Sequence, residues 1–300
     1  MTDSAFARPS PLSLWLQAVR PHTLTLSAVP VVVGGALAVN ETGQVQGPAL
    51  LAALVGAVLI QAGTNLHNDA ADFERGNDGP DRLGQRSLVA TGVLSAAEVM
   101  RAATACFTLS ALIGLYLVVV GGWPILALGV LSILSGWAYT GGPRPIAYTP
   151  LSELFVMAFF GLGAVGGTYW LAAGRLSVAA IVAGLAIGSF ATAVLLVNNH
   201  RDVAADARVG RWTLAMLLGA SGSRAFFAVL MIAPFALLAP LGALLPHGLP
   251  WLAMAPLPAA LWLSWRLALE PRGPLLNRIL AQTAQTQLAY GLALCLGLLL

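Results

Sequence analysis

Most acidic residues of this 300-residue chain lie in two short segments. Seven of the twelve acids fall there, namely Asp69, Asp72, Glu74, Asp78, Asp81, Asp202 and Asp206. Carboxylates held this close repel one another, and the repulsion raises the pKa of each carboxyl group unless a cation lies between them. The clustering therefore predicts a cation site.

The spacing within each segment is typical of one face of a helix, because residues three or four apart are neighbours on a helix surface. The residues with this spacing are Asn65, Asn68, Asp69 and Asp72 in the first segment, and Asn198, Asp202 and Asp206 in the second. The two segments resemble a weak internal repeat. In membrane proteins, paired irregularities of this kind often mark a shared site, so we expect the two faces to meet.

The residue types indicate which cation this is. Oxygen ligands without cysteine or a regular histidine pattern favour Mg²⁺, Mn²⁺ or Ca²⁺ over zinc or copper. Mg²⁺ takes one or two carboxylates and completes its shell with phosphate oxygens and water. Two facing aspartate pairs therefore predict a diphosphate held between two Mg²⁺ ions. The predicted metal ligands and catalytic residues are Asp69, Asp72, Asp202 and Asp206.

Two other interpretations stay open at this point. The acids could be solvated residues that cap helix ends, an interpretation that suits Glu74 and Asp81 best. A cation-coupled transporter would also use carboxylates in a membrane. Transporter acids usually lie near the bilayer midplane, whereas these lie at helix ends among arginines. That placement favours an anionic ligand.

The composition shows which elements must position these residues. Charged residues make up 9% of the chain, against roughly 25% in an ordinary soluble domain. Apolar residues make up 58%. So few charges exclude a soluble globular enzyme, a disordered chain and a nucleic-acid-binding module. The chain is predicted to be a polytopic membrane protein.

Uncharged stretches predict an all-α bundle of nine transmembrane helices, since a bilayer core needs about 20 apolar residues per helix. Two long stretches are each divided by glycine and proline, at 121–124 and at 246–250. The predicted spans lie within 21–40, 42–68, 102–143 (two helices), 154–174, 176–199, 225–265 (two helices) and 279–300. The pairs Gly163/Gly167 and Gly184/Gly188 predict close helix packing.

The arginines indicate the orientation, because short cytoplasmic loops retain basic residues. All fifteen basic residues are arginine. With nine spans, fourteen of them fall on one side and only Arg175 on the other. The N-terminus is therefore predicted to be cytoplasmic, in an inner or plasma membrane. We expect a single domain with two pseudo-repeated halves, about 15–140 and 150–269, followed by a last helix at 279–300.

The paired motifs Asn68-Asp69-x-x-Asp72 and Asp202-x-x-x-Asp206 resemble the two Asp-rich motifs of the UbiA superfamily of intramembrane aromatic prenyltransferases. The resemblance runs in order from about residue 18 to residue 220. Within the superfamily, the sequence is most similar to the 1,4-dihydroxy-2-naphthoate prenyltransferases of menaquinone biosynthesis. Further matching segments are 20–23, 76–82, 139–145 and 210–214.

The resemblance implies a nine-helix bundle that transfers a polyprenyl group from its diphosphate to an aromatic acceptor, with Mg²⁺ as cofactor. The implied partners are polyprenyl diphosphate, an aromatic acceptor such as dihydroxynaphthoate, and membrane lipid. With dihydroxynaphthoate the implied reaction includes decarboxylation and gives demethylmenaquinol. Besides the four aspartates, the expected diphosphate- and substrate-binding residues are Asn65, Asn68, Asp78, Asn198, Arg20, Arg144, Arg211 and Tyr139. The possible aromatic lining of the chamber is Tyr139, Tyr148, Phe159 and Tyr169.

Two positions depart from the pattern of the naphthoate enzymes. Thr91 stands where they commonly have a lysine, and Leu217 stands where they have an arginine. Arg75 or Arg86 could supply the missing positive charge. The departures also leave open another aromatic or lipid acceptor.

Overall fold

The computed structural model describes residues 10–44, 46–77, 83–84 and 87–300, and these residues form helices and turns with no strand among them. The expected all-α class is confirmed. The helices are α1 Pro11–Val19, α2 Pro21–Thr42, α3 Gly47–Glu74, α4 Ala96–Gly121, α5 Trp123–Ala138, α6 Ser152–Val156, α7 Ala164–Ala173, α8 Val178–Arg208, α9 Leu214–Ala236, α10 Leu238–Leu244, α11 Leu257–Leu269 and α12 Leu276–Leu299. A π-helical stretch, Met157–Gly163, joins α6 to α7 without a break.

Seven helical segments of the described residues are long and apolar enough to cross a membrane. They are Pro21–Thr42, Gly47–Glu74, Ala96–Gly121, Ser152–Ala173, Val178–Arg208, Leu214–Leu244 and Pro250–Leu269. Trp123–Ala138 is a shorter apolar helix. α12 has 24 residues but is not in this set, and glutamines and threonines fill its first half. The count of nine spans and the side of the N-terminus stay predictions.

Both predicted breaks in the long apolar stretches are present. Gly122 separates α4 from α5 with φ 70° and ψ −158°, a left-handed conformation that glycine adopts without a steric penalty. Pro124 follows in the first turn of α5. Proline is tolerated there because backbone N–H groups in the first turn have no hydrogen-bond partner within the helix. The second break lies between the end of α10 at Leu244 and a short 3₁₀ turn, Pro250–Met254.

Asp69 and Asp72 of the first segment, and Asp202 and Asp206 of the second, lie on helices that are longer than the hydrocarbon core is thick. α3 has 28 residues and α8 has 31, so at 1.5 Å per residue they are about 42 and 46 Å long. The hydrocarbon core is roughly 30 Å thick. The helices that begin as predicted spans therefore continue through Asp72 and Asp206. We call the end of the bundle that carries these residues the motif end.

The core of the protein surrounds α8. Ile187, Phe190 and Leu196 of this helix have no exposed surface, and α8 packs against α9, α12 and α2. Tyr290 of α12 and Phe235 of α9 pack against Phe190, with ring centroids 5.1 and 6.1 Å away. The second acidic segment is therefore carried by the most enclosed helix of the fold.

Glycines bring the backbone of the π-helical stretch into contact with α8. A Cβ atom on Gly161 would lie 2.5 Å from the Gly184 carbonyl oxygen and 2.8 Å from the Gly188 Cα. No side chain fits between two backbones at this distance. The close packing predicted for the Gly184/Gly188 pair is confirmed.

The second glycine pair makes a different contact. Cβ atoms on Gly163 and Gly167 would lie 3.0 and 2.4 Å from methyl carbons of Leu128 on α5. This pair also serves close packing, but its partner is a side chain rather than a backbone.

Candidate active site

One elongated cavity of about 1030 Å³ joins the motif end to the membrane interior. Along α3 its lining extends from Ala53 to Asp72, a distance of about 28 Å at 1.5 Å per residue. Carboxylate, amide and guanidinium groups line the motif end of the cavity, while aliphatic and aromatic side chains line the rest. The cavity therefore offers a charged head site and a long apolar extension.

The first motif turns three polar side chains into the cavity, namely Asn65, Asn68 and Asp72. Asn65 donates hydrogen bonds to the Val19 carbonyl oxygen and to the Thr23 hydroxyl, both at 2.9 Å. These bonds fasten the junction between α1 and α2 to the first motif.

Arg20 forms that junction and is the only described non-glycine residue with a positive φ, 55°. A side chain in this left-handed region costs of order 1–3 kcal/mol and is retained where the surroundings enforce it. Here the Arg20 guanidinium lines the cavity and forms an ion pair with Asp69. The strained turn thus aims a cation at the first motif.

The second motif turns Asn198, Asp202 and Asp206 into the same cavity. Arg201 lies between them in sequence, and its side chain is only 5% exposed. Its Nε and Nη2 atoms donate to the two oxygens of Asp202, at 2.8 and 2.5 Å. Such a two-point pairing is the strong geometry for arginine and carboxylate.

Arg211 connects the two motifs. Its guanidinium forms ion pairs with Asp72 of α3 and, at 3.5 Å, with Asp206 of α8. It also lies over the ring of Tyr148, 4.8 Å from the centroid. Burial lowers the pKa of the Arg211 guanidinium, but the Asp72 and Asp206 carboxylates outweigh burial, so its pKa is raised. Arg211 therefore stays positively charged at the centre of the site.

The segment after α5 supplies Tyr139, which lines the cavity. Burial, followed by the nearby Glu153 carboxylate, raises the pKa of the Tyr139 phenol, so this phenol stays protonated. Arg75 donates to the carbonyl oxygens of Thr140 and Gly142. Arg75 therefore holds this segment in place, and it is not among the cavity-lining residues.

Other predicted residues lie elsewhere. Arg144 is exposed and does not line the cavity. Asp69 contacts Arg20 but is likewise absent from the lining. Thr91 is exposed, and Leu217 is 60% exposed. Asp78, with Asp81 and Arg86, lies outside the described residues.

The aromatic lining differs from the expectation at two of four positions. Tyr139 and Phe159 line the cavity, whereas Tyr148 and Tyr169 do not. Tyr148 is instead held beneath Arg211, and the buried Tyr169 hydroxyl donates to Glu41 at 2.5 Å. Phe155 of α6 and Phe160 of the π-helical stretch line the cavity in their place.

Sequence reasoning missed three residues of the site. Arg201 fixes Asp202, Asn77 donates to the Tyr148 hydroxyl at 2.5 Å, and Asn277 accepts a hydrogen bond from Arg201. Two sequence signals were available: Arg201 lies inside the second motif, and Asn77 lies in the matching segment 76–82. Asn277 lies 76 residues further along the chain, in no recognisable motif.

The donor set fits Mg²⁺ only in combination with a further ligand. Among the described residues, no three His, Cys, Asp or Glu side chains are grouped closely enough to hold a metal, and each motif aspartate is paired with an arginine. Asp72, Asp202 and Asp206 nevertheless present carboxylate oxygens to one cavity. This suits Mg²⁺, which shares its shell between one or two carboxylates and phosphate.

The sequence is similar to those of known prenyltransferases. The 1,4-dihydroxy-2-naphthoate octaprenyltransferase of Escherichia coli (strain K12) is 34% identical over 100% of this chain and 98% of its own. The protein of the same name from Bacillus subtilis (strain 168) is 32% identical, over 96% of this chain and 92% of its own.

Solved structures share the fold. A UbiA homolog from Archaeoglobus fulgidus bound to GPP and Mg²⁺ superposes with a TM-score of 0.66, covering 94% of this chain and 99% of that one, at 17% identity. The model of the UbiA prenyltransferase family matches residues 27–282. The chain is a member of the UbiA prenyltransferase family.

Proposed function

We propose that this protein transfers a polyprenyl group from an allylic diphosphate to 1,4-dihydroxy-2-naphthoate, with loss of the carboxyl group, to give demethylmenaquinol. The observation that carries the proposal is the single cavity that joins both acidic motifs to a long apolar extension. Such a cavity matches a substrate with an anionic head and a hydrocarbon tail. The choice of 1,4-dihydroxy-2-naphthoate as the acceptor rests on the relatives named above, which are 1,4-dihydroxy-2-naphthoate octaprenyltransferases.

In this proposal the motif end binds the diphosphate together with Mg²⁺. Asp72, Asp202 and Asp206 are the metal ligands that face the cavity, and Asp69 acts beside them through its contact with Arg20. When bound, Mg²⁺ supplies electrostatic stabilisation of the leaving diphosphate. The arginines that line the cavity, and that supply further positive charge, are Arg20, Arg201, Arg208 and Arg211.

The proposed chemistry begins when the allylic C–O bond breaks and diphosphate leaves with the bonding electrons. Arginines aimed at the leaving group stabilise the charge that develops there. The allylic carbon then forms a bond to the carboxylate-bearing ring carbon. Loss of CO₂ returns an electron pair to the ring and restores its aromaticity.

The apolar part of the cavity protects this reaction from water, which would consume the allylic cation. Phe155, Phe159 and Phe160 line the cavity, and aromatic faces attract cations. Asn68 and Asn198 lie four residues before Asp72 and Asp202 on their helices and line the cavity together with Tyr139, so we take these residues to mark the boundary between its charged and apolar parts. We place the acceptor ring at this boundary.

We further propose that the motif end faces the cytoplasm of a bacterial inner membrane, because fourteen of fifteen arginines lie on that side when nine spans are counted. The two halves, 15–140 and 150–269, would each contribute one motif helix, α3 and α8. The division into two halves is supported by the placement of the two motifs on α3 and α8, which are both longer than the hydrocarbon core is thick.

The test uses purified protein in detergent with Mg²⁺, a labelled allylic diphosphate and a panel of aromatic acceptors that includes 1,4-dihydroxy-2-naphthoate. We expect a prenylated, decarboxylated naphthoquinol, identified by mass, and at least about 10²-fold less product with Asp72→Asn or after chelation of Mg²⁺. Prenylation of a different acceptor only would retain the family activity and reject the naphthoate assignment. No turnover in folded protein that binds diphosphate would favour a binding or transport role.

Another aromatic or lipid acceptor is the second candidate. One observation favours it: Thr91 and Leu217 replace two basic residues of the naphthoate enzymes. Arg75 does not compensate, since it binds backbone carbonyls. The acceptor panel separates the two candidates.

A further inference from the structure

Arg201 joins the second motif to the last helix. Besides its two bonds to Asp202, it donates from Nη2 to the Asn198 side-chain oxygen at 2.9 Å. Its Nη1 donates to the side-chain oxygen of Asn277, near the first residue of α12. One guanidinium therefore contacts two cavity-lining residues of α8 and a residue of α12.

Asn277 is held in place from its other side. Its amide group donates to the Leu83 carbonyl oxygen at 2.8 Å. The next residue, Gly84, packs so closely that a Cβ there would lie 2.7 Å from Arg201 Nη2. Asn277 also lines the cavity. Its oxygen thus has a fixed position relative to the guanidinium.

The contacts of Arg201 set up a competition for Asp202. In the structure both Asp202 oxygens accept hydrogen bonds from Arg201, yet the proposed function requires the same oxygens for a divalent cation. Arg201 must therefore loosen its hold on Asp202 when the cation binds. Hydrogen bonds from Arg201 to other acceptors, such as the side-chain oxygens of Asn198 and Asn277, favour the release of Asp202.

We propose that Asn277 is a positioning residue of the active site: by accepting a hydrogen bond from Arg201, it sets how readily a divalent cation binds at Asp202. The proposal rests on the proposed function for the role of Asp202. It assigns to the last helix a part in the site that neither acidic motif reveals.

The proposal predicts opposite effects for two substitutions at one position. Asn277→Asp places a second carboxylate beside Arg201, which draws the guanidinium away from Asp202 and strengthens cation binding. Asn277→Ala removes the acceptor and leaves Asp202 as the main partner of Arg201, which weakens cation binding. We expect shifts of about three- to tenfold in each direction, the size of one ordinary hydrogen bond.

The measurement is a titration of the detergent-solubilised full-length protein with Mn²⁺ alone, in which electron paramagnetic resonance reports free Mn²⁺. Arg278→Gln is the matched control, because the exposed Arg278 is the next residue of α12 and this change alters the net charge by the same −1 as Asn277→Asp. Circular dichroism verifies that each variant is folded. The expected result is tighter Mn²⁺ binding for Asn277→Asp, weaker binding for Asn277→Ala and parental binding for Arg278→Gln.

Other results would overturn the proposal. If Asn277 only anchors α12 and residue 83, both variants lose affinity together. If the effect is a general electrostatic one, Arg278→Gln tightens binding as much as Asn277→Asp. If Asn277→Ala does not fold, the Mn²⁺ affinities of Asn277→Asp and Arg278→Gln still test the proposal, which requires tighter binding in Asn277→Asp alone. The titration needs no turnover, so failure of every acceptor in the activity assay would reject the proposed function independently.

Discussion

Thr140 and Asn68 are 72 residues apart in sequence and share a hydrogen bond of 2.6 Å, in which the Thr140 hydroxyl donates to the Asn68 side-chain oxygen. His67 Nδ1 lies 3.3 Å from the same hydroxyl. Because the oxygen of Asn68 is used in this bond, its amino group is the part left to bind an anion in the cavity. Thr140 thereby fixes which end of Asn68 serves the site.

The first prediction concerns this bond. Thr140→Val retains the shape of the side chain but removes the hydroxyl, so Asn68 loses its fixed orientation. We expect kcat/KM for prenyl transfer to fall about tenfold, equivalent to the loss of one hydrogen bond of ~1.4 kcal/mol. Thr104→Val is the control, because the Thr104 hydroxyl is exposed and bonds only within α4, to Met100. Equal activity of the two variants would contradict this role of Thr140.

The second prediction separates two acids on one helix. Asp72 lines the cavity and pairs with Arg211, whereas Glu74, two residues later, is exposed and outside the lining. Asp72→Asn should reduce turnover by about 10²–10³-fold, while Glu74→Gln should retain it. Steady-state rates in the presence of Mg²⁺, with circular dichroism to verify folding, provide the comparison. Full activity of Asp72→Asn would refute the metal-site interpretation.

The third prediction concerns prenyl length. Gly114 of α4 and Gly129 of α5 line the cavity, and a Cβ at either would meet no atom within 4 Å. Gly114→Leu or Gly129→Leu should therefore fill part of the apolar extension without disturbing the helices. We expect kcat/KM for long prenyl donors to fall at least about tenfold, since each buried CH₂ contributes about 0.8 kcal/mol, with short donors little affected.

A panel of donors of increasing length measures this effect. Gly47→Leu is the control, since Gly47 also has free space around it but lies at the start of α3 outside the lining. An equal loss for short and long donors would show that these glycines do not border the tail site.

The fourth prediction concerns His200, which lies inside the second motif but away from the cavity. Its side chain has no exposed surface, and neither ring nitrogen has a hydrogen-bond partner. An unpartnered buried polar group costs about 1–3 kcal/mol. His200→Leu should therefore raise the Tm by about 2–4 °C with turnover within about threefold of the parent. Thermal unfolding in detergent measures the first quantity, and loss of turnover would assign His200 to the chemistry.

The fold was largely predictable because its signals are local. Length and apolarity place α2, α3 and α8, and glycine at 122 divides α4 from α5. Helical spacing also predicts that Asn198, Asp202 and Asp206 share a face, and all three line the cavity. In the first segment Asn65, Asn68 and Asp72 line the cavity, whereas Asp69 contacts Arg20 and is absent from the lining; its role in metal binding stays a prediction.

The partners of the motif residues were not predictable, because they depend on how distant helices pack. Arg211 is 139 residues from Asp72, and Asn277 is 76 residues from Arg201. Basic side chains near the motifs looked equivalent in sequence, yet Arg75 binds backbone carbonyls and Arg144 is exposed. Only the three-dimensional arrangement distinguishes the arginines that line the cavity from those that do not.

The contact between Gly161 and the Gly184/Gly188 pair has a consequence for engineering. Any side chain there would push α8 outward and shift the second motif away from the first. A mutational library for new donors or acceptors should therefore keep these three positions fixed. Diversity placed at Gly114 and Gly129, where free space already exists, would explore new substrates at little risk to the scaffold.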